Sequence, residues 1–244
     1  MHHGDVTLCM TMGLRPDHLR QTLESLFSYN SFAAVIGVND FRDRATSRVF
    51  KSLCPNATLL VPERQVGHHR AVDWMYEHVR TPYVMHCEDD WLFDPDIRLG
   101  EAHSILDGVP DVSVVSLRKR EDLVGRDCQI GIQNIRAGQL SYWIQPVSMD
   151  PDWGSFTFNP SLLKKELWQQ HGPYVRFALE VDISQYFKSQ NMAVALLSSG
   201  VCVTTGAKRR TWDIVRNHPL NKLKRSLRKR YATLSKLFAG GAHG

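Results

Sequence analysis

Residues 83–90 read YVMHCEDD, a short apolar run that passes without a break into three consecutive acids. A run of this length is typical of a buried β-strand, and the acids mark its end. Just upstream, Gly67 to Val79 places Ala71, Met75 and Val79 at helical spacing, which predicts a helix with one buried face. We therefore predict a helix followed by a buried strand whose carboxyl end carries Glu88, Asp89 and Asp90.

The same alternation extends to the beginning of the chain. Apolar runs at residues 6–12, 33–38 and 57–61 predict three further strands, and helical patterns follow Pro16 and Phe41. Strands that alternate with helices predict an α/β fold, a mostly parallel sheet flanked by helices. Ligands of such sheets bind beyond the carboxyl ends of the strands. Asp40, which ends the second strand, should therefore lie at the same edge as the three acids.

The second half of the chain is less regular. We predict helices at residues 97–106, 161–170 and 183–189, with Ser161 as a possible helix cap. Predicted strands cover residues 112–117, 140–149 and 155–158, and residues 192–203 contain another. No repeat or low-complexity linker interrupts the chain before residue 205. The simplest organisation is one domain over residues 1–205 followed by a tail, 206–244.

The composition excludes several classes of protein. With 244 residues, 43% of them hydrophobic, the chain can bury a sizeable core, which excludes wholesale disorder. No apolar run reaches the roughly 18 residues that a membrane span requires, and residues 1–5 do not begin a secretory signal. The five cysteines form no CxxC pair, which indicates reduced, buried thiols rather than a disulfide framework or a zinc site. We therefore expect a cytoplasmic protein.

Charge is unevenly distributed along the chain. The formal net charge is +5, yet residues 205–244 hold eleven Lys or Arg and one acid, so a mildly acidic body precedes a basic tail. Within residues 220–238, apolar residues recur every three or four positions among the cations. This pattern predicts an amphipathic basic helix suited to an anionic membrane surface. Packing back on the body is the alternative, and nucleic-acid binding ranks last because no nucleic-acid-binding fold is recognisable.

The three acids after residue 87 carry the strongest chemical signal. Adjacent carboxylates repel one another, and partial burial increases that cost. A divalent cation relieves the repulsion, and oxygen ligands suit Mg²⁺ or Mn²⁺. Residues 88 and 90 point the same way in a strand or turn, so Glu88 and Asp90 are the expected metal ligands. The alternative is a solvated acidic turn that caps the next helix.

A second acidic pair, Glu180 and Asp182, lies between a Gly172-Pro173 turn and a predicted helix. A carboxylate in a cleft can act as general base towards an acceptor hydroxyl. The alternative is ordinary capping of the helix by Asp182. By itself the pair is weak evidence for catalysis.

Three further positions suit a nucleotide. Asp40 at a strand end can accept hydrogen bonds from a base or a ribose, or serve as a plain turn residue. Gly67 permits close backbone approach at a helix start, and Arg70 can meet a phosphate there. The adjacent His68 and His69 diverge on a helix, so we interpret them as surface residues first.

Together these segments resemble a glycosyltransferase of the Rossmann-like GT-A fold, similar to glycosyltransferase family 2, over roughly residues 5–205. Residues 6–16 resemble the first strand and its T-x-N-R-P opening, without the asparagine and with an extra residue before Arg15. Residues 37–40 resemble the second strand with its aspartate. Residues 67–73 resemble the G-x-x-x-A-x-N helix, with Asp73 in place of asparagine. Residues 83–90 resemble the strand that delivers the metal-binding D-x-D, and Glu180 with Asp182 falls where the family keeps its catalytic acids.

The resemblance implies a nucleotide-sugar donor, a divalent metal (Mn²⁺ or Mg²⁺) on Glu88 and Asp90, and a glycan or lipid-linked glycan acceptor. Residues 1–92 then form the donor half and residues 93–205 the acceptor half. Inverting transfer implies a base, either Glu180 or Asp182, and the family analogy with the basic tail suggests surface-polysaccharide or glycolipid assembly at the inner face of a membrane. The implied donor-binding residues are Thr11, Arg15, Asp40, Gly67, Arg70 and Asp89. Trp153 would be a sugar contact or, more commonly for this residue type, a core residue.

Two other functions fit less well. A sugar nucleotidylyltransferase shares a similar nucleotide-binding sheet but requires a Gly-rich phosphate loop after the first strand. Residues 11–15 contain one glycine, Gly13, which disfavours that activity. A non-catalytic nucleotide- or membrane-binding protein of the same fold is the other alternative, and three carboxylate sites argue against it.

Overall fold

The structure is a computed structural model that describes residues 1–120, 133–137, 140–144 and 152–205. Its first eight elements are β1 (His2–Met12), α1 (Pro16–Phe27), β2 (Ser31–Asn39), α2 (Arg44–Leu53), β3 (Thr58–Leu60), α3 (His68–Glu77), β4 (Tyr83–Glu88) and β5 (Trp91–Phe93). These are followed by α4 (Leu99–Gly108), β6 (Val112–Ser116), β7 (Gln133–Ala137), β8 (Leu140–Ile144), β9 (Ser161–Lys164), α5 (Lys165–His171), a 3-10 turn (Tyr174–Arg176), α6 (Glu180–Ser189), β10 (Ala193–Leu197) and β11 (Cys202–Thr204).

The described strands form one large sheet and one small one. The large sheet has nine strands in the order β3-β2-β1-β4-β9-β6-β10-β8-β7, and β5 pairs with β11 in the small sheet. Seven of the nine strands point in the same direction, and β8 and β9 run the opposite way. The expected α/β fold with a mostly parallel sheet is confirmed. The carboxyl ends of β1, β2 and β4 meet at one edge, which brings residues far apart in sequence together.

The sheet carries a buried core on each face. One cluster contains α1 and α4 residues such as Leu23 and Ile105, packed against Leu8, Met85 and Val115 of the sheet. The other contains residues of α3 and α6, among them Met75 and Ile183, packed against Cys9, Val84 and Val114. Alternation along β1, β4 and β6 explains this division, because successive side chains of a strand point to opposite faces. Helices on both faces are what the apolar spacing of α1 and α3 requires.

Local sequence signals explain where the helices begin. Pro16 is the first residue of α1, where its missing N–H costs no hydrogen bond. Asp43 caps α2, since its carboxylate accepts the backbone N–H of Thr46 at 2.8 Å. The other oxygen of Asp43 accepts the backbone N–H of Leu14 at 2.9 Å. Leu14 adopts a positive φ of 62°, and this bond holds the turn between β1 and α1 against the start of α2.

Two predictions for the second half are wrong. Residues 161–164 form β9 rather than the first turn of a helix, because Leu162 and Leu163 are buried, Leu162 pairs with both β4 and β6, and Leu163 pairs with β4. The helix begins only at Lys165. Residues 155–158 form no strand: Ser155 lies in a bend, and residues 156–158 have no regular secondary structure. The pairing of β5 with β11 was not predicted.

Other predictions concern cysteines and the tail. None of the four described cysteines (Cys9, Cys54, Cys87 and Cys202) forms a disulfide, and all are buried, as expected. Cys128, residues 145–149 of the predicted strand and the whole basic tail lie outside the described residues. In the part of the chain that the structure describes, no helix is long and apolar enough to span a bilayer.

Candidate active site

Asp89 and Asp90, directly after β4, share one arginine. Arg15, the residue before α1, donates from its Nη1 to Asp90 Oδ2 at 2.6 Å and from its Nη2 to Asp89 Oδ1. Asp89 is 1% exposed, and its second oxygen accepts the backbone N–H of Gly13 at 2.9 Å. The guanidinium therefore clamps the end of β4 to the loop after β1. Burial outweighs these bonds and raises the pKa of Asp89 to about 6.

Glu88, the last residue of β4, lies beside this clamp. It pairs with Thr11 of β1 across the sheet, and its Oε2 accepts the indole N–H of Trp91 at 3.3 Å. Burial of the carboxyl group, together with the negative charges of Asp90, Glu180 and Asp89, raises the pKa of Glu88 to about 8. The site thus has more negative charge than its protein cations neutralise.

Glu180 and Asp182 begin the same helix but contact different parts of the molecule. Glu180 Oε1 accepts the hydroxyl of Thr157 (3.1 Å) and the backbone N–H of Phe158 (3.0 Å), and its charge acts on Glu88. Asp182 accepts the backbone N–H of Leu179 at 2.9 Å within its own helix start. The structure therefore links Glu180 to β4 through Phe158, whose ring lies 5.4 Å from that of His86. It gives Asp182 the capping bond that the sequence offered as an alternative.

Asp40 and Gly67 form one unit at the end of β2. The buried Asp40 carboxylate accepts the backbone N–H groups of Val66 (2.7 Å) and Gly67 (3.0 Å). Gly67 has φ 91° and ψ 154°, a conformation essentially restricted to glycine. Asp40 therefore shapes the loop that leads into α3, at the same sheet edge as Glu88.

Arg70 and Trp153 lie elsewhere. Arg70 lines an open depression of about 570 Å³ with Trp74 and residues 61–66, none of which belongs to the acidic cluster. Trp153 is 44% exposed, so it is not a core residue. The carbonyl of the next residue, Gly154, accepts the N–H of Val194 near the start of β10, which places this loop towards the opposite edge of the sheet from Glu88.

The donor set at the end of β4 fits a divalent cation, with fewer protein ligands than a closed site. In the described ranges, no group of three His, Cys, Asp or Glu side chains is arranged to hold a metal ion. Glu88 and Asp90 supply carboxylate oxygens and an excess of negative charge. Mg²⁺ is commonly held by one or two carboxylates together with substrate phosphates and waters. Glu88 and Asp90 are the residues that would hold such an ion.

An aromatic cluster beneath Glu88 was missed by the sequence analysis. The ring of Phe158 lies 4.9 Å from that of His68 and 5.4 Å from that of His86. His86 is fully buried and its Nδ1 bonds the Tyr76 hydroxyl at 2.9 Å. The interpretation of His68 as a surface residue is wrong, since it is half-buried against Phe158. The adjacency of two histidines gave no sign of this packing, because Phe158 comes from a distant part of the chain.

The fold is that of the GT-A glycosyltransferases, as two solved structures show. A mannosyltransferase, PcManGT from Pyrobaculum calidifontis in complex with GDP-Man and Mn²⁺, superposes with a TM-score of 0.58 at 15% identity, over 84% of this chain and 58% of that one. S. aureus TarS 1–349 in complex with UDP superposes with a TM-score of 0.52 at 10% identity, over 82% of this chain and 60% of that one. The chain therefore spans less than two thirds of the length of either neighbour.

The amino-acid sequence identifies the family. The family model for glycosyl transferase family 2 matches residues 7–165, more than half of the chain. The chain belongs to glycosyl transferase family 2. No curated protein matches it closely in sequence.

Proposed function

We propose that this protein is a metal-dependent, inverting glycosyltransferase that moves a sugar from a nucleotide-sugar donor to a hydroxyl of an acceptor. The observation that carries the proposal is the set of contacts from Glu180 to β4: Glu180 Oε1 accepts the N–H of Phe158, whose ring lies 5.4 Å from that of His86, two residues before Glu88. Glu88 and Glu180 come from opposite halves of the chain, and the packing of Phe158 against His86 brings them to the same part of the sheet. One acidic group on each side of a cleft suits a reaction in which a donor and an acceptor meet.

Glu180 acts as the general base. The acceptor hydroxyl attacks the anomeric carbon of the donor, the bond from that carbon to the diphosphate oxygen breaks, and the hydroxyl proton passes to the Glu180 carboxylate. The nucleoside diphosphate leaves with the electron pair of the broken bond, and attack from the opposite side inverts the configuration. The bonds from Thr157 and Phe158 hold one oxygen of Glu180 and fix the direction of the carboxylate.

We assign the donor to the edge formed by β1, β2 and β4. Thr11 and Asp40 lie at the ends of two of these strands, Gly67 allows backbone approach, and Arg15 orients Asp89. A divalent ion on Glu88 and Asp90 would neutralise charge on the diphosphate leaving group. We assign Arg70 to an anionic part of the donor: the depression that it lines includes Val66, whose N–H bonds Asp40, but none of the acids after β4.

The charge of residues 205–244 supports a glycan or lipid-linked acceptor and a location at a membrane surface. The basic helix predicted at residues 220–238 would hold the enzyme at an anionic membrane surface. This location suits surface-polysaccharide or glycolipid assembly. Binding of the full chain to vesicles that contain phosphatidylglycerol, and not to neutral vesicles, checks this part separately.

Thermal unfolding with a panel of nucleoside diphosphates and nucleotide sugars, in Mn²⁺, Mg²⁺ or EDTA, tests the donor site. A ligand at 100 times its dissociation constant stabilises the folded state by about 2.7 kcal/mol. We expect a metal-dependent rise in melting temperature with one nucleotide, and its loss in Glu88→Gln and Asp90→Asn. A wild-type protein that no nucleotide stabilises contradicts the proposal. A nucleotide that binds without turnover, over a broad panel of sugars, indicates a non-catalytic binding protein instead.

A further inference from the structure

Arg120 and Trp143 form a stacked pair outside the site described above. The guanidinium carbon of Arg120 lies 4.3 Å from the centre of the Trp143 ring. Arg120 follows the end of β6 by four positions and is exposed, and Trp143 belongs to β8 and is half-buried. No residue of the donor site takes part in this pair.

The register of the sheet places Trp143 on the same face as Glu88. Residues directly opposite one another in neighbouring strands project to the same side. One continuous row of such partners crosses five strands, from β4 through β9, β6 and β10 to β8: His86, Ser161, Ser116, Leu196 and Trp143. Glu88 is two residues beyond His86 in β4 and so shares its face. At a strand spacing of about 4.8 Å, the row spans about 19 Å.

Helix α6 lies beside this row, between its two ends. Ile183 and Phe187 of α6 pack with Val114 of β6 and Val194 of β10, on the same face of the sheet. Glu180, the proposed base, is the first residue of that helix. A ligand that begins beside Glu180 and extends along the acceptor half therefore passes towards Trp143.

A hydrogen bond holds the Trp143 ring near the carboxyl edge of the sheet. Its indole N–H donates to the carbonyl of Ser198 at 3.4 Å, and Ser198 follows the last residue of β10. Arg120 reaches the ring from the end of β6. The pair therefore lies at the same edge of the sheet as the acids, displaced sideways into the acceptor half.

Among the described residues, the charge of Arg120 has no acidic partner. Within the described ranges Arg120 makes no ion pair with a carboxylate, whereas its neighbour Lys119 bonds Asp94 at 2.7 Å. Stacking on an indole holds a guanidinium in place and leaves its N–H groups to bind an anion. A Trp ring beside such a group also offers a flat apolar surface to a sugar or polyol.

We propose that Arg120 and Trp143 form an acceptor subsite for an anionic glycan or polyol, one that carries a phosphate or carboxylate near the unit that receives the sugar. This inference rests on the proposed function, since it assumes that the acceptor extends from Glu180. It also defines a substrate class, because neutral acceptors lack a partner for Arg120.

The indole N–H signal of Trp143 in an NMR spectrum of the ¹⁵N-labelled full chain reports binding directly, and Trp143→Phe assigns it by its loss. The probes are trigalacturonate, which carries carboxylates, a glycerol phosphate trimer, which carries phosphates, and maltotriose as the neutral control. We expect an anionic probe to shift this signal and to bind about tenfold more tightly than maltotriose, as hydrogen bonds to a charged group allow. Comparison of the two anionic probes distinguishes a carboxylate from a phosphate ligand.

Arg120→Gln should abolish the preference for the anionic probe, and Lys119→Gln should leave it unchanged because the charge of Lys119 is already paired. Equal binding of all three probes, no shift with any of them, or an unchanged preference in Arg120→Gln overturns the subsite. The nucleotide-dependent melting temperature of the same wild-type sample separates the two proposals. A normal nucleotide effect without anionic binding rejects the subsite alone, whereas anionic binding without any nucleotide effect rejects the transferase and leaves an anionic-glycan site.

Discussion

Asp73 on α3 accepts the backbone N–H of Tyr174 at 2.8 Å and so ties α3 to the 3-10 turn that precedes α6. The same carboxylate accepts the N–H of Val175 and the indole N–H of Trp168, each at 2.8 Å. The family pattern has asparagine at this position, and here an acid takes three donors. These three bonds fix the position of α3 relative to the segment that leads into α6.

Replacement of Asp73 by asparagine should destabilise the fold. The amide nitrogen of asparagine would face one of the three N–H donors and leave it without an acceptor in a buried place. We expect a loss of about 1–3 kcal/mol in the free energy of unfolding, measured by urea denaturation. Glu77→Gln, an exposed change on the same helix, should cost less than about 0.5 kcal/mol. Equal effects of the two substitutions would show that the three bonds contribute nothing.

Gly67→Ala should destabilise the protein and weaken nucleotide binding. The positive φ of Gly67 is unfavourable for any residue with a Cβ, at a cost of about 1–3 kcal/mol, and a shifted loop would lose its bonds to Asp40. Gly100→Ala is the matched control, because Gly100 lies in α4 with open space around its Cα. The control should raise stability by up to about 1 kcal/mol. A Gly67→Ala protein as stable as the wild type contradicts the argument.

The first half of the fold could be predicted because its signals are local. Each apolar run between residues 6 and 88 overlaps a strand of the large sheet, and Pro16 marks a helix start. The strand β9 could not be predicted in the same way. Ser161–Lys164 is four residues long, and it becomes a strand only because β4 and β6 leave a gap that accepts Leu162 and Leu163.

The candidate site, too, has features that the sequence predicts and features that it does not. The acids at the end of β4 and at the start of α6 are visible as clusters in the sequence. Their order along the chain is part of the resemblance to the family. Contacts made by backbone groups are not visible, such as the N–H of Phe158 on Glu180 and the N–H of Gly13 on Asp89. No side-chain pattern reports such contacts, since any residue type supplies the same N–H.

Glu180→Gln should lower the transfer rate far more than Asp182→Asn. Glutamine keeps an oxygen for Thr157 and Phe158 but cannot accept the proton, and loss of a general base lowers rates by about 10²–10⁴-fold. Asn at position 182 can still accept the N–H of Leu179, so its effect should be on helix stability. Steady-state kinetics with the donor identified by thermal unfolding check this, with the loss expected in kcat and not in the donor KM. A larger kcat loss in Asp182→Asn would transfer the role of base to Asp182.

Arg15→Met should make the stability of the protein strongly dependent on metal. Without the guanidinium, the buried Asp89 and its neighbour Asp90 lose their shared cation, and breaking a buried ion pair costs about 3–5 kcal/mol. A divalent cation at the end of β4 would replace part of the lost charge, so Mn²⁺ should raise the melting temperature of Arg15→Met more than that of the wild type. Arg15→Lys keeps the charge but loses the two hydrogen bonds of the guanidinium. Its melting temperature should rise with Mn²⁺ by an intermediate amount, and it provides a folded variant for the same titration.

The matched control for Arg15 is Arg20→Met on the outer face of α1. Arg20 lies 3.6 Å from Glu24, and both side chains are exposed, so this ion pair contributes about 0.2–1 kcal/mol at most. Its response to Mn²⁺ should equal that of the wild type. If neither Arg15 variant responds to Mn²⁺ more than Arg20→Met does, Asp89 and Asp90 do not share their charge with a metal site, and Glu88 alone would have to hold the ion. Because a single carboxylate holds a divalent ion weakly, the metal dependence proposed for the transferase would then be untenable.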